Sequence, residues 1–224
     1  MFQTQFLNVE RMAYSEALAL MRKLVDIKSL SPRPEVLILT EHEPVLTMGR
    51  RAGSSDILVS REALSSKGIR VYPVERGGLT TYHGPGQLVA YPVFGLRAMS
   101  LDVGELVYGL EQVVLDTLSD FEITAQRMKG RRGVWVDGEK IASVGIAVRK
   151  GISFHGVALN GDPDLSHFEL ITPCGLDGVH MTSMSGILDK PVDLKSVRDA
   201  MTRHFQRLFR LDLTACSMDE IHGM

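Results

Sequence analysis

Two cysteines, Cys174 and Cys216, are all that the 224 residues contain. That number excludes a disulfide framework, and in a reducing compartment each is read as a free thiol. No apolar run approaches the roughly 18 residues that mark a membrane span. The N-terminus, Met1-Phe2-Gln3-Thr4-Gln5, has no basic stretch leading into an apolar one, so no export signal is read there and a cytoplasmic location is expected. An excess of one charge is also missing: 25 Lys and Arg against 27 Asp and Glu leave a net charge of −2. Such a balance gives no global field toward nucleic acid, and neither nucleic acid nor membrane is expected as a partner. Repeats, low-complexity tracts and heptads are absent. The expectation is one domain over residues 1–224, acting as a monomer.

What the chain has is an ordinary core composition, 44% hydrophobic and 23% charged. A 3.6-residue period predicts a helix over 10–28, with Tyr14, Ala17, Leu18, Met21, Leu24 and Val25 on one face. Asp102 caps a second helix whose stripe is Leu106, Leu110, Val113, Val114 and Leu118. Asp193 caps a third, with Leu194, Val197, Met201, Phe205 and Leu208 inward. Ser60 opens a short helix to Ser66, and Gly68 lies just past its end. Strands are expected at 36–40, 45–48, 69–74 and 88–93, and again at 211–213. Residues 133–136, 139–148 and 152–159 read as an antiparallel meander turned at Asp137-Gly138 and Arg149-Lys150-Gly151. Helices mixed with hairpins predict an α+β fold, a mixed and largely antiparallel sheet packed with helices.

One stretch organises the rest: Glu75-Arg76-Gly77-Gly78-Leu79-Thr80-Thr81-Tyr82-His83-Gly84-Pro85-Gly86-Gln87-Leu88. Four glycines and a proline exclude a helix and argue against an ordinary buried strand. It reads as a loop pinned between two strands. Glycine N–H groups with Arg76 and His83 at its ends suggest a ligand cradle; the plainer alternative is a long structural hairpin loop. No P-loop lysine or helix start follows, so phosphate is not the expected ligand. His42 between Glu41 and Glu43 offers contiguous groups rather than groups spaced to converge on one ion, so no metal is expected.

Cys174 is the candidate nucleophile. It lies in Thr172-Pro173-Cys174-Gly175, where Pro and Gly keep it out of regular structure and leave room beside the sulfur. A cysteine thiol is only slightly ionised at neutral pH and needs a base or cation nearby. Cys216 is expected to be inert. Lys140 opens a small, apolar strand, and strict alternation places it on one face with Ala142 and Val144. If that face is a pocket, Lys140 points in and desolvation favours a neutral amine that serves as a base. The alternative is an edge-strand lysine that deters aggregation. Ala142, Ser143 and Gly145, opposite Gly156 and Ala158, would leave an apolar slot for a chain-like ligand. His83 and His155 are further candidates for positioning polar groups.

Taken together, these segments resemble the octanoyl-[acyl-carrier-protein]:protein N-octanoyltransferases, the lipoyl/octanoyl transferases. The resemblance rests on Arg76-Gly77-Gly78, then Thr81-Tyr82-His83-Gly84-Pro85-Gly86-Gln87-Leu88, Lys140-Ile141-Ala142-Ser143-Val144-Gly145, His155-Gly156-Val157-Ala158-Leu159-Asn160, Pro173-Cys174-Gly175 and Thr182-Ser183-Met184, in that order. Gly161-Asp162-Pro163 is a departure that touches no catalytic position. The resemblance implies the fold of biotin and lipoate protein ligases. It implies a Cys174–Lys140 dyad that takes octanoyl from acyl carrier protein as a thioester. The acceptor is then a lysine on a lipoyl domain of a 2-oxoacid dehydrogenase E2 subunit or on the glycine-cleavage H protein, a step of lipoate biosynthesis and protein lipoylation. No cofactor is implied, neither ATP nor metal. The substrate-binding residues it implies are Arg76, Gly77, Gly78, Leu79, Thr80, Thr81, Tyr82, His83, Ser143, Val144, Gly145, Gly156, Val157 and Ala158. Backbone N–H groups near Gly77-Gly78 or after Cys174 are the expected oxyanion donors. The exposed-looking basic residues Arg50, Arg51, Lys129, Arg131 and Arg132 suggest docking of acidic protein partners. The alternatives are an ATP-dependent lipoate or biotin ligase on the same fold, which needs no cysteine, and a non-catalytic acyl-binding module.

Overall fold

The computed structural model describes residues 1–172 and 179–223. Cys174, with Pro173 and Gly175, lies outside the described residues. The elements in chain order are β1 Phe2–Arg11, α1 Tyr14–Leu30, β2 Glu35–Glu41, β3 Val45–Met48, α2 Arg61–Ser66, β4 Arg70–Pro73, β5 Thr80–His83 and β6 Gln87–Val93. They continue with α3 Val103–Ser119, β7 Gln126–Met128, β8 Arg131–Val136, β9 Glu139–Arg149, β10 Ile152–Asn160, α4 Met184–Leu188, α5 Leu194–Phe209, β11 Leu211–Ala215 and α6 Met218–His222.

The helix starts follow their caps. The Asp102 carboxylate accepts from Glu105 N–H while Glu105 reaches back to Asp102 N–H, a reciprocal box that satisfies two orphan donors. Ser60 accepts from Ala63 N–H, and Asp193 from the N–H groups of Lys195 and Ser196. The apolar faces expected of α1 and α3 are the buried ones.

Eight strands form one sheet in the order β11-β1-β2-β6-β10-β9-β8-β7, and a small second sheet runs β4-β3-β5. β1 pairs in parallel with β11 and β2, the other neighbours in the large sheet are antiparallel, and β3–β4 is parallel. The α+β class with a mixed, largely antiparallel sheet is therefore observed. Alternation along β2 divides the core: Leu37 and Leu39 pack with α3 and α5, while Val36 and Ile38 pack with α1. Each fully buried side chain of this size contributes about 1.5–3 kcal/mol, so the two faces fix the sheet between its helix layers.

Three expectations need correction. Residues 2–11 form β1, and α1 begins at Tyr14 rather than at residue 10. Only Thr4 and Leu7 of β1 are buried, three residues apart, so no period of two announces the strand. The stretch 75–88 is not one loop: Thr80–His83 form a fully buried strand paired with β3. Gly and Pro on either side hid it, although Thr and Tyr are natural strand residues. Finally, a short β7 and a short α6 were not anticipated. Among the described residues no helix is long and apolar enough to cross a membrane.

Candidate active site

A narrow cavity of about 60 Å³ opens between the 76–83 segment and the β9–β10 ladder on the α1 side of the large sheet. At about 30 Å³ per water, space of that size takes roughly two waters. Its walls include Arg76, Gly77, Gly78, Leu79, Thr81, His83, Ser143, Val144, Gly145, Gly156, Val157 and Ala158. Thr80 and Tyr82 do not line it. Tyr82 points to the other side of β5, into the Leu46, Leu64, Ile69, Phe168 and Ile171 cluster, and its hydroxyl meets His167 Nδ1 at 2.9 Å. Thr80 donates to Asp56 at 3.2 Å. Alternation along β5 explains the split, since Thr81 and His83 face the cavity and the two between and before them face away. Tyr14, Val89, Tyr91 and His155 complete the lining. Tyr14 and Tyr91 were outside the expected site, because each reads in sequence as an ordinary core residue of its element.

The lid over this slot is stitched down through its backbone. Gly77 N–H donates to Ile146 O at 2.9 Å. Gly49, Arg50 and Arg51 donate their N–H groups to the carbonyls of Leu79, Arg76 and Gly78. The Arg76 guanidinium is 8% exposed and bonds the Thr47 hydroxyl at 2.8 Å, the Thr47 carbonyl, and the Gly77 carbonyl at 3.1 Å. Close approach favours glycine here, since a Cβ on Gly145 would come within 3.1 Å of Arg76 Cδ and 3.2 Å of Gly77 O and would press the lid outward by a few tenths of an ångström. The Gly77 N–H is committed to β9 in this way, and the expected donors after Cys174 lie outside the described residues.

Lys140 is buried, 3% exposed, so it is not a solvated edge lysine. Its expected face is also corrected. The β8–β9 register shifts between Val134↔Ala142 and Trp135↔Lys140, which leaves Ile141 as an extra residue. Ile141 and Ala142 both pack into the α3 side of the core with Val134 and Val136. A bulge of this kind re-aims one side chain, so Lys140 and its cross-strand partner Trp135 fall on the opposite face, the one that carries Ser143. Lys140 Nζ lies 5.4 Å from the Trp135 ring centroid. Gly133, at φ +105, makes room for it: a Cβ there would sit 2.7 Å from Lys140 Cε.

A buried hydrogen-bond chain joins the slot to Lys140. His83 Nδ1 meets Gln87 Oε1 at 2.6 Å, Gln87 Nε2 donates to Asn160 Oδ1 at 2.8 Å, and Asn160 Nδ2 donates to Thr182 O at 2.9 Å. Thr182 N–H donates to Lys140 O, and Lys140 N–H to His180 O. Because an amide oxygen only accepts, His83 carries its proton on Nδ1. Burial pushes His83 down to about 3, and neighbouring His42 adds to the shift. Burial likewise lowers His42 to about 4. His42 Nδ1 donates to Met12 O at 2.8 Å and its Nε2 accepts from Tyr91 at 2.7 Å, so both nitrogens are spent within the protein. Among the described residues no three His, Cys, Asp or Glu side chains converge as a metal set.

Two histidines near the site thus differ from an exposed imidazole, and His155 is the third. It is held near 4 by burial and by the Arg76 charge, against the pull of Glu75. Cys216, in contrast, sits half-buried at the far edge of the sheet with its thiol pushed up by burial.

The profile of the lipoyl protein ligase A/B catalytic domain matches residues 13–206. An octanoyltransferase of Syntrophobacter fumaroxidans is 42% identical over 218 residues, covering 97% of this chain and 96% of the relative. Among solved structures, a bi-partite lipoate protein ligase from Thermoplasma acidophilum superposes with a TM-score of 0.74 at 16% identity, over 100% of this chain and 91% of that one. The biotin protein ligase of Aquifex aeolicus superposes with a TM-score of 0.53 at 12% identity, over 94% and 70%. The cavity, its glycine walls and these likenesses along nearly the whole chain lead to one assignment: the chain belongs to the lipoyl protein ligase A/B catalytic domain family and is an acyltransferase of the octanoyltransferase kind.

Proposed function

We propose that the chain takes an octanoyl group from the phosphopantetheine thioester of acyl carrier protein and delivers it to a lysine of a lipoyl domain, with Cys174 and Lys140 as its reactive pair. The observation that carries this reading is the backbone pairing of Lys140 with the segment that follows the cysteine loop. Lys140 N–H donates to His180 O at 2.9 Å, and Thr182 N–H donates to Lys140 O at 3.0 Å. His180 is six residues beyond Cys174 in sequence. On the other side of the loop, Thr172 N–H is held by Asp56 O at 2.9 Å. Both ends of the cysteine segment are therefore anchored, one of them directly on the strand that presents Lys140 to the slot face.

The chemistry balances as two substitutions at one carbonyl. Lys140 accepts the Cys174 thiol proton, the thiolate attacks the carrier thioester, and the new C–S bond forms as the old one breaks, with the proton passed to the departing carrier thiol. In the second half the ε-amine of the acceptor lysine attacks the Cys174 thioester. A C–N bond replaces the C–S bond, the amine loses a proton to Lys140, and the Cys174 sulfur is returned as a thiol. Thioester to amide runs downhill, so neither step needs ATP or a metal. The exposed guanidinium of Arg131, 5.8 Å from the Trp135 ring beside Lys140, and exposed Arg50 and Arg51 on the lid suit the docking of acidic carrier and acceptor domains.

Intact-mass analysis tests both halves. Incubation with octanoyl-carrier protein is expected to add one octanoyl group to the chain, on Cys174, and addition of lipoyl domain is expected to remove it. Cys174→Ser is expected to show no adduct while Cys216→Ser shows the full adduct. Full transfer by Cys174→Ser would refute the covalent route.

A further inference from the structure

The far end of the slot carries a polar pair that the transfer chemistry does not use. His155 is 2% exposed and stands at φ +57. Its Nε2 and Glu75 Oε2 are both buried without a hydrogen-bond partner, 3.6 Å apart, too far to bond each other. The other carboxylate oxygen of Glu75 is held by Arg22 at 2.8 Å. The lid closes at the same level: Ile146, the register partner of His155, takes Gly77 N–H. Beside it, Arg76 lines the cavity together with His155. A left-handed conformation is strained for a histidine and easy for glycine. The slot uses glycine at the next position, Gly156, yet holds an imidazole here.

The ladder also sets a length. Ser143 to Ile146 is three residues along β9, about 10 Å at the usual strand rise. An extended octanoyl chain has seven C–C bonds of about 1.5 Å each, which zigzag to a span of about 9 Å. A chain that enters on the Lys140 and Ser143 side and runs along the ladder brings its eighth carbon to the ring of His155. Further methylenes meet the imidazole and the two orphaned polar atoms behind it.

We propose that the His155 imidazole, backed by Glu75 and by the Arg76-Gly77 lid, is the end stop that makes this slot selective for apolar acyl chains of about eight carbons. The direction of chain entry rests on the transferase reading given above. His155 acts here as a specificity-determining residue and takes no part in bond making.

The test uses the full chain and His155→Gly, which removes the ring and suits the positive φ. His155→Asn, shorter than histidine and tolerant of that conformation, is the second variant. Two readouts run side by side: single-turnover acylation by octanoyl-, decanoyl- and dodecanoyl-carrier protein, and displacement of a fluorescent fatty acid by free octanoate and dodecanoate. The dodecanoyl-to-octanoyl ratio is expected to rise at least tenfold in His155→Gly in both readouts, with His155→Asn between it and the unaltered protein. An unchanged ratio in either folded variant overturns the proposal. So does unaltered protein that binds dodecanoate as tightly as octanoate, a result that needs no variant. Chain-length discrimination in the displacement assay without any acyl transfer would leave the end stop standing and refute the transferase reading instead.

Discussion

Asn160→Ala tests the link between the slot and the lysine strand. Asn160 is 1% exposed; it accepts from Gln87 at 2.8 Å and donates to Thr182 O at 2.9 Å. Alanine removes both bonds, each worth about 1–1.5 kcal/mol net, and leaves the Thr182 carbonyl orphaned at further cost. Gln87 keeps a 3.4 Å contact to Tyr82 O, which offsets part of the loss on that side. The total comes to about 3 kcal/mol, and for a chain of this size that lowers Tm by about 6–12 °C. The consequence for activity is larger than for stability. Thr182 O anchors the segment whose N–H holds Lys140 O, so at temperatures where the variant remains folded, octanoyl transfer is expected to fall at least tenfold. Lys195→Ala, which removes an exposed helix pair with Asp199 at 3.0 Å, serves as the control and is expected to leave Tm within about 1 °C. Calorimetry and a transfer assay at 20 °C read both effects. Asn160→Ala with a Tm within 2 °C of the parent and undiminished transfer would refute the coupling of slot, segment and lysine.

The histidines predict an acid-sensitive fold. His42, His83 and His155 are held to about 4, 3 and 4 by burial, with His42 adding to the His83 shift and Arg76 to the His155 shift. Unfolded, each binds a proton from about pH 6.5 downward. Stability is therefore full above about pH 6.5 and falls as pH drops toward 4, by up to about 1.4 kcal/mol per pH unit per histidine; a urea midpoint that stays flat from pH 7 to 5 would contradict this. Gly156→Ala puts a Cβ against the Ala90 carbonyl oxygen and within 2.8 Å of Pro92 Cδ, between paired strands that cannot part. The expected loss is about 3 kcal/mol or more, and thermal melting of the variant reads it directly. Octanoyl transfer from carrier protein is expected to proceed at the same rate with ATP and magnesium added or with ATP removed enzymatically. A strict requirement for ATP would favour a ligase instead.

Much of the fold was legible because period and punctuation agreed. Asp102, Asp193 and Ser60 signalled helix starts through cap chemistry that acts within one turn, and the Asp137-Gly138 turn sits between β8 and β9 where φ is positive at both residues. What escaped was decided by distant partners. β1 owes its place to pairing with β2 and β11 rather than to its own pattern. β5 depends on β3, thirty-odd residues earlier, and its flanking glycines masked it. The slot residues were readable as small side chains facing each other on two strands, whereas Tyr14 and Tyr91 enter it only through packing across the sheet. Lys140 was singled out correctly as unusual, but strict alternation put it on the wrong face. One extra residue in the β9 ladder reverses which side a lysine serves, and no local feature of Ile141 announces a bulge.

The 75–88 stretch changes character once its donors are counted. As a glycine-rich loop it invites an anion: Gly77, together with Gly49, Arg50 and Arg51 of the loop after β3, carries backbone N–H groups beside a guanidinium. In the folded chain those four N–H groups bind carbonyls of Ile146, Leu79, Arg76 and Gly78, and Arg76 is turned onto Thr47 and Gly77. A phosphate or oxyanion would have to displace bonds already made, at a net cost of roughly 1 kcal/mol or more each. The glycines are there for closeness instead. Gly145 and Gly49 let the lid lie against the strands at distances where a Cβ would press on Arg76. The stretch therefore presents to the slot a wall in which the Gly77 N–H and the Arg76 guanidinium are already engaged, an arrangement suited to an alkyl chain.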